Sequence, residues 1–214
     1  MRLRKKPWAD EELNTNDRLI KNPEQYKGKW KEVFGNDNPI HIEIGTGKGQ
    51  FLTSMSLLNP NINYIAIERQ TNVIVSALKK GREKNVGKNI VFFVADVKEL
   101  LNYFEEDEIK RIYINFCDPW PNKKKWAKRR LTHKNFLNLY EQLFKNGGEI
   151  FFKTDNTLLF EFSLNEIAEK GWQLKNISLD LHNSDFQGNI KTEYEEKFSG
   201  KGMQIYRLEA YYNK

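Results

Sequence analysis

Short apolar runs alternate along the chain with longer stretches whose apolar positions recur every three or four residues. The runs PIHIEIG, NYIAI (Asn63–Ile67), NIVFFVA (Asn89–Ala95), IYINFC (Ile112–Cys117) and EIFFK (Glu149–Lys153) read as five strands. Between them, helical spacing places Phe51, Leu52, Met55 and Leu58 on one face, and Val73, Ile74, Ala77 and Leu78 on another. Val97, Leu100, Leu101 and Phe104 suggest a short helix. Phe136, Leu139, Tyr140, Leu143 and Phe144 give the clearest amphipathic one, closed by Asn146-Gly147-Gly148. A further helix through Phe162, Ile167 and Ala168 stops at Gly171. Trp172–Leu181 and Met203–Tyr212 read as a closing antiparallel pair around a polar loop, 183–202. Residues 23–34 suggest a short helix, and the charged, non-periodic start reads as a basic mobile arm over 1–20.

Strands that alternate with helices and are apolar throughout are buried on both faces, hence parallel. The expected fold is α/β: a Rossmann-like, doubly wound, mostly parallel seven-stranded sheet with a C-terminal antiparallel strand pair, in one domain over 21–214. Such sheets bind ligands beyond the C-terminal ends of their strands. Glu68, Asp96, Asp118 and Asp155 each lie at or just past a strand end. Four acids in succession at those positions suggest a functional rim.

Between the first strand and helix stands Gly45-Thr46-Gly47-Lys48-Gly49. Glycines there permit a tight turn and close approach of a ligand to the backbone. Gln50 occupies the place of a dinucleotide fingerprint's third glycine, and Glu43 would repel a pyrophosphate. Both count against a nicotinamide-dependent oxidoreductase. A carboxylate at Glu43 suits a cationic ligand, and S-adenosylmethionine carries a sulfonium and an ammonium without phosphate. Glu68 is then placed for the ribose hydroxyls and Asp96 for the adenine edge.

The net charge of the 214-residue chain is +6. Ten of its cations fall in two patches, Arg2, Arg4, Lys5 and Lys6, and then Lys123, Lys124, Lys125, Lys128, Arg129 and Arg130. Such clustering is the footprint of a polyanion such as RNA. A non-catalytic RNA-binding module therefore stays open as an alternative. One cysteine, Cys117, excludes an internal disulfide, and three scattered histidines make a metal site improbable. Without an apolar run near membrane length or a signal peptide, the expectation is a soluble cytoplasmic protein and no membrane partner. Cys117 lies in an apolar run with no neighbouring histidine, so it reads as a small buried hydrophobe. Trp120 could equally wall a base-stacking pocket or pack in the core.

In order along the chain, IEIGTGKG, the strand-end acids, FCDPWPNKKKWAKRRL, FKTDN and TEYEEKFSGKG resemble the bacterial tRNA (guanine-N7-)-methyltransferases. The resemblance extends to the RLRKKPWA arm. It implies methyl transfer from S-adenosylmethionine to N7 of a guanine at position 46, in the tRNA variable loop. It also implies cofactor contacts at Glu43, Gly45, Gly47, Gly49, Glu68, Asp96 and Asp118, with Asp118 also catalytic. Substrate contacts are implied at Asp155 and at Thr192, Glu193, Tyr194 and Glu195. The family commonly places a lysine directly after DPWP. Here Asn122 stands there, the lysines begin at Lys123, and the loop is one residue longer. Lys123 is assigned that substrate contact, and Lys124, Lys125, Lys128, Arg129 and Arg130 the RNA phosphates. A homodimer is plausible among relatives, though no segment marks a dimer face.

Overall fold

Each of the five apolar runs is extended in the computed structural model, which describes residues 7–121 and 123–213. The chain divides into two compact units, Met1–Phe104 and Glu105–Lys214. The first contains α1 (Pro7–Thr15), α2 (Trp30–Phe34), β1 (Ile40–Ile44), α3 (Gln50–Leu58), β2 (Asn63–Glu68), α4 (Thr71–Glu83), β3 (Ile90–Val94) and α5 (Leu100–Tyr103). The second contains β4 (Ile109–Asn115), α6 (Lys124–Ala127), α7 (Lys134–Leu143), β5 (Gly148–Thr154), α8 (Thr157–Glu169), β6 (Gln173–Ser178), α9 (Glu193–Ser199) and β7 (Tyr206–Tyr212). The strands run in the order β3-β2-β1 in the first unit and β4-β5-β7-β6 in the second.

In the first unit, β1–β2 and β2–β3 are parallel pairs, Ile42 opposite Ile65 and Ile65 opposite Val91. Every residue of β1 is buried, as a strand covered on both faces requires. Ile42, Ile65, Ala66 and Phe92 are wholly inaccessible. Burying a side chain of the size of Ile or Phe contributes about 1.5–3 kcal/mol. Of the α4 positions picked out by helical spacing, Ile74, Ala77 and Leu78 do the same work, and Val73 is half-buried. Residues 23–34 divide into a 3-10 turn, Pro23–Tyr26, and α2. Trp30 of α2 is fully buried, stacks on Phe93 and Phe104, and donates its indole N–H to the Tyr103 carbonyl at 2.8 Å.

From Pro7 onward, the expected mobile arm is ordered. Ala9 and Glu12 of α1 are buried, and Arg82 of α4 reaches the Glu12 carboxylate at 2.8 Å. Beyond α1, the backbone at 18–20 pairs with β3 through Phe92 N–H to Arg18 O and Ile20 N–H to Phe92 O. The arm cations Arg2, Arg4, Lys5 and Lys6 lie outside the described residues.

In the second unit, β4–β5 is parallel, whereas β7 pairs antiparallel with both β5 and β6. The closing antiparallel pair is thus present, with β7 as the inner strand. β4 starts three residues before the expected strand and ends at Asn115, because Phe116 turns into the left-handed region at φ 51°. Of the expected α7 stripe, Phe136, Tyr140, Leu143 and Phe144 are buried, whereas Leu139 is half-buried and Leu137 is buried in its stead. Nor is 183–202 a loop throughout. Glu193–Ser199 is helical, with the Thr192 hydroxyl accepting from the Glu195 N–H at 3.0 Å. Among the described residues, no helix is long and apolar enough to cross a membrane.

Candidate active site

In the first unit, the C-terminal ends of β1 and β2 converge on the glycine loop. The N–H groups of Gly45 and Thr46 both donate to the Ile67 carbonyl, which ties the loop to the end of β2. Glu43 is 2% exposed, and its carboxylate accepts from the Thr46 hydroxyl at 2.7 Å. The half-buried Glu68 accepts from Gly47 N–H at 3.2 Å and Gln70 N–H at 3.0 Å. It therefore fixes the loop. Asp96 caps a 3-10 turn, with Oδ1 accepting from Lys98 N–H at 3.0 Å. Its Oδ2 has no hydrogen-bond partner among the described residues.

The three glycines are not equivalent. Gly45 and Gly47 have φ of 76° and 59°, and a Cβ on Gly45 would meet nothing within 4 Å. On Gly47 it would meet only the Gly45 carbonyl, at 4.0 Å. Their freedom is not consumed by packing within the protein, which leaves a bare backbone cradle. Gly49 is buried, and its Cβ would lie 2.6 Å from the Ala77 Cβ. The missing side chain at Gly49 lets α3 begin against α4, whatever its backbone contacts. The cradle, a buried carboxylate and two strand-end acids fit a cationic ligand bearing a ribose and an adenine.

In the second unit, β4 leads into Phe116-Cys117-Asp118-Pro119-Trp120. Phe116 and Trp120 both have positive φ, 51° and 49°. Non-glycine residues in that region cost on the order of 1–3 kcal/mol each, so the surrounding structure must hold the turn. Arg130 does so: its guanidinium donates to the Pro119 carbonyl at 2.8 Å and the Trp120 carbonyl at 3.2 Å. It is 3% exposed and lies over the Phe162 ring. Arg130 is thus not a phosphate contact but an internal brace of the loop. Asp118, by contrast, is exposed and makes no hydrogen bond or ion pair among the described residues. Cys117 is half-buried, and burial followed by the Asp118 charge pushes its thiol up to about 12. It is a neutral thiol, not a nucleophile.

Trp120 stacks on Trp126 at 5.4 Å and 8°, with the Arg129 guanidinium over both rings. Lys123, Lys125, Lys128 and Arg129 are exposed. Asn122, where the family pattern has its lysine, lies outside the described residues. On β5 and beyond, Asp155 accepts from the Tyr194 hydroxyl at 2.8 Å. Burial, then this bond, raises that phenol to about 12. Tyr194 is 40% exposed and also packs on Phe116 and Phe198. Glu195 is wholly buried and paired with Lys153 at 2.6 Å, so it does not present its carboxylate to a substrate. Thr192 is buried as the α9 cap, and Glu193 is half-buried.

Neither Lys153 nor the bracing role of Arg130 is legible from local sequence. T-x-x-E at Thr192–Glu195 was a legible helix-start signal. Nothing local, however, indicates that Glu195 turns toward a strand 42 residues earlier in the chain.

The family model described as "Putative methyltransferase" matches residues 37–208. The tRNA (guanine-N(7)-)-methyltransferase of Listeria monocytogenes serovar 1/2a is 57% identical, covering 100% of both chains. That of Geobacillus sp. (strain WCH70) is 56% identical over 99% of this chain and 96% of its own. That of Clostridioides difficile is 53% identical over 98% of each. Among solved structures, an antibiotic-related methyltransferase is similar with a TM-score of 0.62 and 18% identity, covering 87% of this chain and 94% of that one. The 16S rRNA (adenine(1408)-N(1))-methyltransferase of Catenulisporales acidiphilia, solved with its cosubstrate SAM, gives a TM-score of 0.60 at 14% identity, covering 87% and 91%. At such identities, the two structures speak for the methyltransferase fold alone. The sequence relatives go further: the chain belongs to the tRNA (guanine-N(7)-)-methyltransferase family.

Proposed function

We propose that the protein transfers a methyl group from S-adenosyl-L-methionine to N7 of guanine in tRNA, at position 46 of the variable loop. The full-length likeness to curated enzymes of that name supports the reaction. The structural observation that carries it is an exposed Asp118, unpartnered among the described residues, on a turn braced by Arg130. S-adenosyl-L-methionine supplies an electrophilic methyl group on a sulfonium. Glu43 offers a buried negative charge to the cationic part of that cofactor. The Gly45–Gly47 backbone would give it close approach, Glu68 would accept from its ribose hydroxyls, and Asp96 would accept from its adenine.

Guanine N7 already has a free lone pair, so no proton has to leave the nucleophile. What the protein must provide is alignment. Asp118 accepts from guanine N1–H and N2–H and stabilises the positive charge that develops on the purine. Lys125, Lys128 and Arg129 contact phosphates, which gives affinity that falls with salt and little sequence information. Lys123, exposed just after the Asp118 turn in the chain, takes a substrate contact. Tyr194 and Asp155, joined by their hydrogen bond, present a polar edge to the RNA.

The test is transfer of label from S-adenosyl-L-methionine to unmodified tRNA transcripts carrying guanosine or adenosine at position 46. Only the guanosine transcript should accept label. Asp118→Ala should lower the rate by about 10²–10³, the usual effect of removing one group that stabilises developing charge. Its melting temperature should be unchanged, since Asp118 is exposed and unpartnered. Transfer at near the parent rate would remove Asp118 from the mechanism.

A further inference from the structure

The second unit contains a buried charge cluster that the proposed chemistry does not use. Lys153, at the end of β5, is 5% exposed, and its ammonium donates to Glu195 Oε2 at 2.6 Å, the Ile190 carbonyl at 2.9 Å and Asn189 Oδ1 at 3.1 Å. The other Glu195 oxygen accepts from the Asn189 side-chain amide at 2.6 Å and lies 3.2 Å from His182 Nε2. Every one of these partners belongs to the segment 182–195, and only Lys153 belongs to the sheet. One ammonium therefore fastens a long, mostly polar segment to a strand end.

A buried ion pair is a costly fastening for fold stability alone, since apolar side chains of the same volume often serve as well. What it supplies is a single fixed register. Two contacts depend on that register. Tyr194, adjacent to Glu195, donates to Asp155, two residues after Lys153. Its ring also packs at 5.0 Å on Phe116, the left-handed residue from which the Asp118 turn departs. The Phe116 N–H in turn donates to the Lys153 carbonyl at 2.9 Å. Lys153 thus holds the Asp118 turn through its backbone and the Tyr194 segment through its side chain.

We propose that Lys153 and Glu195 form a buried latch that sets the position of Tyr194 and Asp155 relative to the Asp118 turn, and so positions the tRNA substrate. Both are positioning residues, and Glu195 acts through the latch, not by contact with RNA. The proposal rests on the tRNA methyltransferase reading above.

A double-mutant cycle tests it, with Lys153→Met, Glu195→Gln and the pair together. Methyl transfer to tRNA, affinity for S-adenosyl-L-methionine and hydrogen exchange over 183–202 are measured for each. In each single variant, kcat/KM for tRNA should fall on the order of tenfold to a hundredfold, the scale expected of a small misplacement. Most of that fall should lie in KM, and cofactor affinity should stay within about twofold because cofactor contacts are intact. The double variant should lose no more than either single, because both break one interaction. Additive losses would mean that Glu195 touches RNA itself and would overturn the latch. So would losses in cofactor affinity equal to those for tRNA, which would indicate general damage. Exchange over 183–202 should rise in every variant, whatever the substrate is. If the parent fails to methylate tRNA but exchange still rises, the reaction was misread while the latch stands. Unchanged exchange would overturn the latch directly.

Discussion

Gly49→Ala separates packing from ligand binding within the glycine loop. The new Cβ would lie 2.6 Å from the Ala77 Cβ and 2.9 Å from its Cα, at a φ of 82°. The left-handed backbone costs an L-residue about 1–2 kcal/mol. Overpacking adds about 1–3 kcal/mol, because the obstacle is a helix backbone and not the end of a flexible side chain. The total, about 2–5 kcal/mol, corresponds to a melting temperature lowered by roughly 4–20 °C in a chain of this size. Gly47→Ala has the same backbone cost, but its Cβ meets only the Gly45 carbonyl at 4.0 Å. It should therefore lose only about 1–2 kcal/mol, while projecting a methyl group into the cradle. Denaturant unfolding of the ligand-free proteins and titration with S-adenosyl-L-methionine give both readouts. Gly49→Ala should be the less stable, and Gly47→Ala the weaker binder by about tenfold or more, a loss of about 1.4 kcal/mol. A Gly49→Ala protein as stable as its parent would refute the packing argument. Parent-like cofactor affinity in Gly47→Ala would refute the cradle.

Arg130→Ala should destabilise by about 1.5–3 kcal/mol, the range for hydrogen bonds made by a charged group, and leave the salt dependence of tRNA binding unchanged. Lys125→Ala or Lys128→Ala should do the reverse, lowering the slope of log affinity against log salt by about one unit each. Filter binding across a salt series and thermal melting distinguish the two, and a lowered slope in Arg130→Ala would count against its bracing role. For Cys117, the unfolded thiol ionises from about pH 9, whereas in the fold it keeps its proton to about 12. The unfolded state therefore binds fewer protons across that window, and stability falls as pH rises through it. Cys117→Ala should flatten that part of the stability–pH curve, and identical slopes would show that the thiol is not shielded.

The parallel strands and the acids at their ends were legible because period and composition are local. Ile42, Ile65 and Phe92 are buried where apolar runs require it, and Glu68 and Asp96 stand where strands stop. What escaped depends on partners distant in sequence. α1 has no broad apolar stripe; one of its buried positions is Glu12, neutralised by Arg82, 70 residues later in the chain. Arg130 sits in a run of cations and looked like its neighbours, yet the carbonyls of a strained turn capture it. Gly49 has the same spacing as Gly45 and Gly47, and only the approach of Ala77 distinguishes it.

The pairing of residues 18–20 with Phe92 bears on self-association. An open strand edge, with its unspent N–H and C=O groups, is a template on which copies add to one another. On β3, that edge is occupied by the chain's own Arg18–Ile20 backbone. On β6, it is broken by an irregular register between Lys175 and Ser178, where Asn176 turns left-handed at φ 48° and Lys175 is exposed. A protein shortened to begin after Ile20 would uncover Phe92 and should scatter light on warming at concentrations where the full chain stays clear. The segment that follows α1 is, in this sense, a guard against fibrous self-assembly.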